Sequence, residues 1–286
     1  EWFSSEAGTM PVYKTPREDL FLRLYDKGQS GETFYIEEIN DEACEAHYEY
    51  LCTLPVMGEA LKNMIAKGGS FPTRQIDHAV FFKYGYLLFI TLEPVPEAHE
   101  IFKRFAKVFE QTYTRFLDLQ KAETQTREAE IQLALEKVRM EALGLNKSME
   151  MLKVAKSLYE QLLKLGFSNI RNAIIDINNG DDDTFTDYDY SHTMSGTITQ
   201  MSYHDDPTLE GQFKKMSATT NDLFELVLEG KELEDLIAMR IKNGEDEDPR
   251  LHNTDTVTYN LYSFGNGAIG ISNFGLLNED EKAIIN

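Results

Sequence analysis

The chain has 286 residues, 42% of them apolar, and sets 28 Lys and Arg against 49 Asp and Glu for a formal net charge of −21. That length corresponds to about two domains, and the negative balance excludes the backbone of nucleic acids and the anionic face of a membrane as natural partners. Two cysteines, Cys44 and Cys52, are too few for a disulfide framework and would stand about 12 Å apart on one helix, which fits the reducing cytoplasm.

Acidity is uneven along the chain. Residues 1–95 carry 8 basic and 15 acidic groups, residues 96–166 carry 12 and 11, and residues 167–286 carry 8 and 23. The balanced middle has the character of a solvated helix. No apolar run approaches the eighteen or so residues of a membrane span. The opening Glu1-Trp2-Phe3 has none of the features of a signal peptide, and the chain is expected to be a fragment of a longer protein.

In chain order, Phe34–Ile39 predicts a strand followed by an acidic-capped helix, Ile76–Gly85 a strand entering a tight turn, and Tyr86–Thr91 its hairpin partner. From Pro96 to Gly166 the composition is helical, without Pro or Gly between Pro96 and Leu143. Two seams with alternating steps of three and four lie on it. The first is Phe102, Phe105, Phe109, Thr112, Phe116 and Leu119; the second is Ile131, Leu135, Val138, Ala142, Leu145, Met149 and Leu152. Gln120–Glu130 between them is polar on every side and predicts a solvated connector. Gly144 and Ser148 predict a break and a new cap.

Beyond the connector the signals recur. An opening helix over about Ser148–Leu165 leads into a strand at Asn169–Ile177. Phe224–Leu228 repeats the strand-then-helix signal of Phe34, and Thr256–Gly265, a Gly-Asn-Gly turn and Ala268–Ser272 repeat the hairpin before a helix opening at Asn278. Offsets of 190 and 180 residues between the copies imply a divergent tandem repeat with about ten extra residues in the first. On this reading the first copy lacks its opening helix and strand, and the second its long exit helix.

The order helix, strand, strand, short helix, strand, helix, strand, glycine hairpin, strand, exit helix resembles the GAF fold. The segment Lys121–Arg139 with Lys147–Ala155 and Glu160–Gly166 is similar to linkers between repeated GAF-like sensor domains in bacterial histidine kinases and related regulators. The resemblance implies an α+β chain: a GAF-like domain at 1–95, a long coiled-coil helix at 96–147 and a second GAF-like domain at 148–286, each with a central antiparallel sheet flanked by helices. It implies a non-catalytic, cytoplasmic signal-transduction fragment, homodimeric through the connecting helix, with a small molecule or protein partner bound in the domains. No counterpart of the cyclic-nucleotide pattern or of the bilin-binding Cys-His pair is present, so no ligand residue transfers from the family and no cofactor is specified.

Candidate chemistry is sparse. Cys44-Glu-Ala-His47 sets a thiol and an imidazole one helical turn apart, short of the four ligands of a structural metal site. Asn178-Asn-Gly180 and Asp181–Asp183 resemble a calcium loop, but Ile177 and Thr184 interrupt the alternating oxygens. His204-Asp205-Asp206-Pro207 reads as a turn rather than an acid–base group, and His192 has no nucleophile beside it. The strand aromatics are the better candidates for a pocket: Tyr188, Tyr190, Tyr203, Tyr259 and Tyr262 in the second copy, with Trp2, Phe34, Tyr35, Phe81 and Tyr84 as nearest equivalents in the first. Tyr188, Tyr190, Tyr203, Tyr259, Phe34 and Phe81 are the ligand-binding set this predicts. The competing expectations are a ligand-free dimerisation scaffold and a small α+β pocket enzyme.

Overall fold

A computed structural model of the chain describes residues 3–5, 8–10, 19–145, 150–180, 184–204, 207, 210, 211 and 223–285. The protein is α+β, with two antiparallel sheets of three and six strands and a 45-residue helix between them in sequence. It divides into two compact units, Glu1–Ala122 and Glu123–Asn286.

The first unit opens with a short ladder of β1 (Phe3–Ser5) and β2 (Gly8–Met10), then α1 (Asp19–Gln29), neither foreseen from the sequence. Strands β3 (Phe34–Asn40), β4 (Arg74–Phe82) and β5 (Gly85–Thr91) form an antiparallel meander, with α2 (Asp41–Thr53) and α3 (Pro55–Ala66) inserted between β3 and β4. One face of the meander packs Ala79, Phe81, Tyr86 and Leu88 against Leu20 and Leu24 of α1. The other meets the start of α4 (His99–Leu143), where Phe102 stacks on Phe89 at 4.4 Å between ring centroids. Phe109 and Tyr113 lie edge-on to Phe82.

In the second unit, α5 (Met151–Lys164) leads into β6 (Ile170–Asn178), β7 (Thr184–Ser191), β8 (Ser195–Ser202), β9 (Leu223–Glu229), α6 (Gly230–Lys242), a 3-10 turn at Pro249–Asn253, β10 (Thr256–Phe264), β11 (Gly267–Phe274) and α7 (Glu279–Ile285). The sheet order is β8-β7-β6-β11-β10-β9, antiparallel throughout. Strand alternation divides the side chains into two layers. Ile174, Phe185, Tyr259, Leu261 and Ala268 join Leu233, Leu236 and Met239 of α6. Ala173, Ile271, Ile175 and Tyr188 face α5, and Ala134 and Val138 of α4 belong to the same layer. Asn278 caps α7 reciprocally: its side chain accepts from the Glu281 amide at 2.9 Å, and Glu281 accepts from the Asn278 amide at 3.0 Å.

The repeat is present at the level of register. Asn40 pairs with Arg74 and Phe34 with Val80 in the first unit, as Glu229 pairs with Thr256 and Leu223 with Tyr262 in the second. Both hairpins turn between a Phe and a Gly, Phe82 to Gly85 and Phe264 to Gly267. At the strand-to-helix corner Asp41 (φ 46°) and Gly230 (φ 53°) both take the left-handed conformation. The segment after this corner spans residues 41–73 in one copy and 230–255 in the other, seven fewer, and the extra length holds α3. The shared motif is therefore strand, helix, hairpin. Strands β6, β7 and β8 have no equivalent among the described residues of the first unit.

The expected connector is also redrawn. Helix α4 ends at Leu143, where Gly144 still donates to Met140 O at 3.2 Å, and α5 begins at Met151. The proposed Ser148 cap lies outside the described residues. Residues Gln120–Thr126 of the polar connector are exposed.

Glycine is obligatory where the ladder closes. A Cβ on Gly270 would stand 2.0 Å from Asn260 O on β10, whereas one on Gly196 would meet only the Leu152 side chain at 3.2 Å. Gly270→Ala is expected to lose about 3 kcal/mol or more, because backbone must separate, and Gly196→Ala about 1 kcal/mol or less; urea denaturation of the two variants checks the order.

Candidate functional site

The sequence-predicted aromatics do not converge. Tyr188 is buried in the α5 layer with Val154, Ala155 and Ile175, and Tyr190 lies edge-on to Tyr159 at 5.8 Å in that layer. Tyr203 and Tyr259 are buried in the opposite layer, beneath α6. Tyr203 stands just past the end of β8 rather than on a strand, stacks on Phe185 at 4.6 Å and donates its hydroxyl to Asn178 Oδ1. In the first unit Phe34 faces His78 and His99, whereas Phe81 lies on the α1 side against Tyr86. Tyr35 also faces α1, while Tyr84 and Tyr262 are exposed. Trp2, Asp181–Asp183, Asp205 and Asp206 lie outside the described residues.

What the fold does bring together is charge. Asp187 and Asp189 alternate with Tyr188 and Tyr190 on β7, so all the carboxyl groups take one face and all the phenols the other. The carboxyl face lies under α6, where Arg240 points inward. Its Nη2 donates to Asp187 Oδ2 at 2.7 Å and Asp189 Oδ2 at 3.2 Å, and its Nε to Glu245 Oε2 at 2.8 Å. Asp189 also accepts from Asn172 Nδ2, and Asn172 Oδ1 accepts from Ser272. Asp176 on β6 is buried beside them, and its Oδ1 has no partner.

A second group adjoins through β6. Asp248 opens the Pro249–Asn253 turn and accepts three hydrogen bonds from Arg250, at 3.1 Å from the amide and 2.9 Å each from Nε and Nη2. Arg250 Nη2 also donates to Arg171 O at 2.8 Å. Arg171 Nε approaches Asp248 Oδ2 to 3.3 Å without hydrogen-bonding geometry, and its Nη1 has no partner. Of the groups named, five are carboxyls and three guanidiniums.

That imbalance is reflected in the ionisation. Burial pushes the Asp189 carboxyl up to about 7, with the charge of Asp187 adding and Arg240 opposing. Burial also raises Asp187, against the pull of Arg240, and raises Asp176 well above the usual range with Asp187 reinforcing. Burial opposes the charge on Arg240, but Asp187 and Glu245 outweigh it and hold the guanidinium ionised. At Asp248 burial is overcome by the hydrogen bonds from Arg250 and the charge of Arg171, and its pKa lies below the ordinary value.

Two small cavities border this network. One, of about 20 Å³, lies between α6 and the sheet, with Leu233, Leu236, Ile237 and Leu251 on its apolar side and Arg171, Arg240 and Glu245 on the other. Its neighbour, of about 10 Å³, is lined by Arg171, Asn172, Asp189, Ser191, Glu245 and Arg250. Each has room for about one water molecule.

The first unit has a smaller polar centre. Asp77 on β4 accepts from Gln75 at 2.8 Å, Gln75 accepts from the Tyr48 hydroxyl, and Cys44 and His47 are buried on α2 nearby. Cys44 donates its thiol to Pro72 O at 3.2 Å. Burial raises Asp77 to about 6 and also raises the Cys44 thiol. No group of three or more potential metal ligands occurs among the described residues.

The acidic face of β7 was within reach of the sequence, since Asp187-Tyr188-Asp189-Tyr190 cannot bury its tyrosines without presenting its aspartates to the other layer. Its counter-ion Arg240, fifty residues on in an ordinary amphipathic helix, had no local signal. Comparison with protein-family models and with curated proteins returns no match for this chain.

Two outcomes follow. Arg240→Met is expected to cost about 3–5 kcal/mol, since it leaves buried carboxylates without their cation; chemical denaturation at pH 7.5 measures it. A carboxyl raised to about 7 binds its proton in the folded state while the unfolded chain, at about 3.9, has released it. Stability from this group is therefore complete below pH 4 and is lost as pH climbs to 7. The urea midpoint of Asp189→Asn is expected to fall less steeply between pH 5 and 8 than that of the parent; equal slopes would count against the raised carboxyl.

Proposed function

We propose that the chain is a non-catalytic regulatory module: GAF-like units that sense a small molecule or protein partner, and helix α4 as the relay of a homodimer. One observation carries this reading. Positions 101, 105, 108, 112, 115, 119, 122, 126, 129, 133, 136, 140 and 143 of α4 step by four and three without interruption and are all exposed. This stripe differs from both seams expected from the sequence. Phe102, Ala106, Phe109 and Tyr113 face the first unit's sheet or its aromatic cluster, and Ile131, Ala134 and Val138 face the second unit's core.

The exposed stripe is apolar at its ends. Ile101, Phe105 and Val108 at one end, Leu119 in the middle and Leu133, Met140 and Leu143 at the other are between 49 and 77% exposed. A heptad stripe of this length is self-complementary, since each knob on one helix finds its hole on an identical partner in parallel register. Exposed large apolar residues gathered at the two ends of the stripe mark an association surface, with Thr112, Arg115, Ala122, Thr126, Ala129 and Glu136 on the same line between them. A second copy of α4 fits it better than an unrelated partner, because the stripe keeps heptad spacing along the helix.

One further feature supports the regulatory reading. Asp187, Asp189, Glu245 and Asp248 in the second unit are each ion-paired to an arginine. No helix among the described residues is long and apolar enough to cross a membrane. A second reading, a spacer whose units bind nothing, is favoured by the small size of the two cavities beside the charge network.

Sedimentation velocity on the full chain at about 10 μM is expected to show a dimer, and Phe105→Glu combined with Leu133→Glu and Met140→Glu a monomer of unchanged circular dichroism. A monomeric parent chain would overturn the reading.

A further inference from the structure

The first unit buries a histidine whose hydrogen bonds fix where its proton sits. His78 on β4 is 1% exposed and lies under the first turn of α4, with the His99 ring at 5.2 Å and the Phe102 ring at 5.3 Å between centroids. Phe34 of β3 stacks on it at 6.5 Å. Its Nε2 is 3.0 Å from Thr91 Oγ1. The Thr91 hydroxyl has a single proton to give, and it goes to Glu93 O at 2.8 Å. Thr91 therefore only accepts from His78, so the neutral ring carries its proton on Nε2 and leaves Nδ1 bare. That Nδ1 is buried and has no partner.

A second proton has to enter at Nδ1, where it creates a donor without an acceptor and a charge without a counter-ion. Burying either is costly unless it is paired, and the groups that face the ring leave no anion free. Helix α4 contributes His99 and Lys103, the latter set over the Phe34 ring and paired with Glu100 at 2.7 Å. On β3, Ile36 stands opposite His78, and Glu38 farther along the same face is held by Arg74 at 2.7 Å. On the other side Phe89 of β5 stands opposite His78, and the Glu93 carboxylate beyond Thr91 also pairs with Arg74, at 3.1 Å. Asp77, adjacent on β4, takes the other face of the sheet. Burial lowers the His78 pKa from the ordinary 6.5, and the neighbouring His99 lowers it further.

We propose that His78 is a proton-operated latch: neutral, it seats the first turns of α4 on the first unit's sheet, and protonated at Nδ1 it releases them. The latch names protons as one input to the relay and rests on the regulatory reading above for its consequence. A ring whose docked pKa is depressed contributes fully above pH 6.5, and the contribution is lost as pH falls through the docked value.

The test is hydrogen exchange on the full chain at pH 7.5 and 5.0, corrected for the intrinsic dependence of exchange on pH, with the amides of residues 103–109 as the reporter and those of α5 as the control. The parent is expected to lose protection in the reporter about fivefold or more at the lower pH, and His78→Phe less than about twofold. His78→Gln, which is polar but does not ionise in this range, is expected to behave as the phenylalanine variant and takes its place should that one fail to fold. Ring-nitrogen NMR of the parent's six histidines needs no variant: one of them is expected in the Nε2–H form with a pKa below 6.5. An unchanged parent, an equal loss in the variants, an equal loss in α5, or no histidine titrating below 6.5 would each overturn the proposal. Sedimentation on the same samples separates the two readings: a dimer whose exchange ignores pH overturns only the latch, and a monomer that shows the change overturns only the relay.

Discussion

The second unit is organised around a single guanidinium. Arg240 reaches from α6 to two carboxyls of β7 and one of the following loop, so one side chain ties helix, sheet and loop together. Its attraction must offset the desolvation of every ion involved, and buried pairs often only break even on that account. Here the balance is closer still, because the acids outnumber the bases, and burial with that excess of negative charge raises Asp176 and Asp189. Well-packed hydrophobic side chains of the same volume in place of these four would often hold α6 on the sheet as well. What the ions add is direction: α6 docks in the one rotation that brings Arg240 over Asp187, and the 245–248 loop closes where Glu245 can reach it.

The two units share a frame and differ in what fills it. Strand register, the Phe-to-Gly hairpin and the left-handed corner coincide, and these are backbone properties that tolerate wide changes of side chain. At the position of Asp77 on β4 the second unit has Tyr259 on β10, and at that of Gln75 it has Val257, so the first unit's small polar centre is replaced by core. The charge in the second unit enters instead from β6 and β7, on the far side of β11. Polar centres of different composition thus sit on sheets of common register.

This division explains how much was legible in the sequence. Hairpins and their glycine turns carry period-two alternation and a local turn signal, so β4, β5, β10 and β11 could be read within a few residues. Helix α1 has an apolar stripe, but Lys, Gly and Gln end it without a strong cap, and it went unread. On α4 the sequence showed apolar residues in several interlocking rows, and periodicity alone could not say which row faces the protein. Phe102 and Phe105 look equivalent in a seam, yet one stacks on Phe89 and the other stays exposed, because the sheet behind them selects one row. The predicted aromatic set divides for a related reason. Aromatic residues on strands draw attention as pocket walls, but Tyr188 and Tyr190 pack against α5, and the charge lies on the alternate residues of the same strand.

That alternation also gives strand β7 two roles at once. Asp187 and Asp189 carry the charge network on one face, while Tyr188 and Tyr190 fill the layer shared with α5 and with Val138 of α4 on the other. The two sets of side chains hang from one backbone, so the carboxyls that hold Arg240 and the tyrosines that pack on α5 are fixed by the same strand register. Within the second unit the path from the buried acids to α4 is therefore one strand deep. Cores packed to crystal density move between discrete arrangements rather than deforming smoothly. A change at Asp189 large enough to shift β7 must then be taken up by the layer that holds Tyr188, Val154 and Val138.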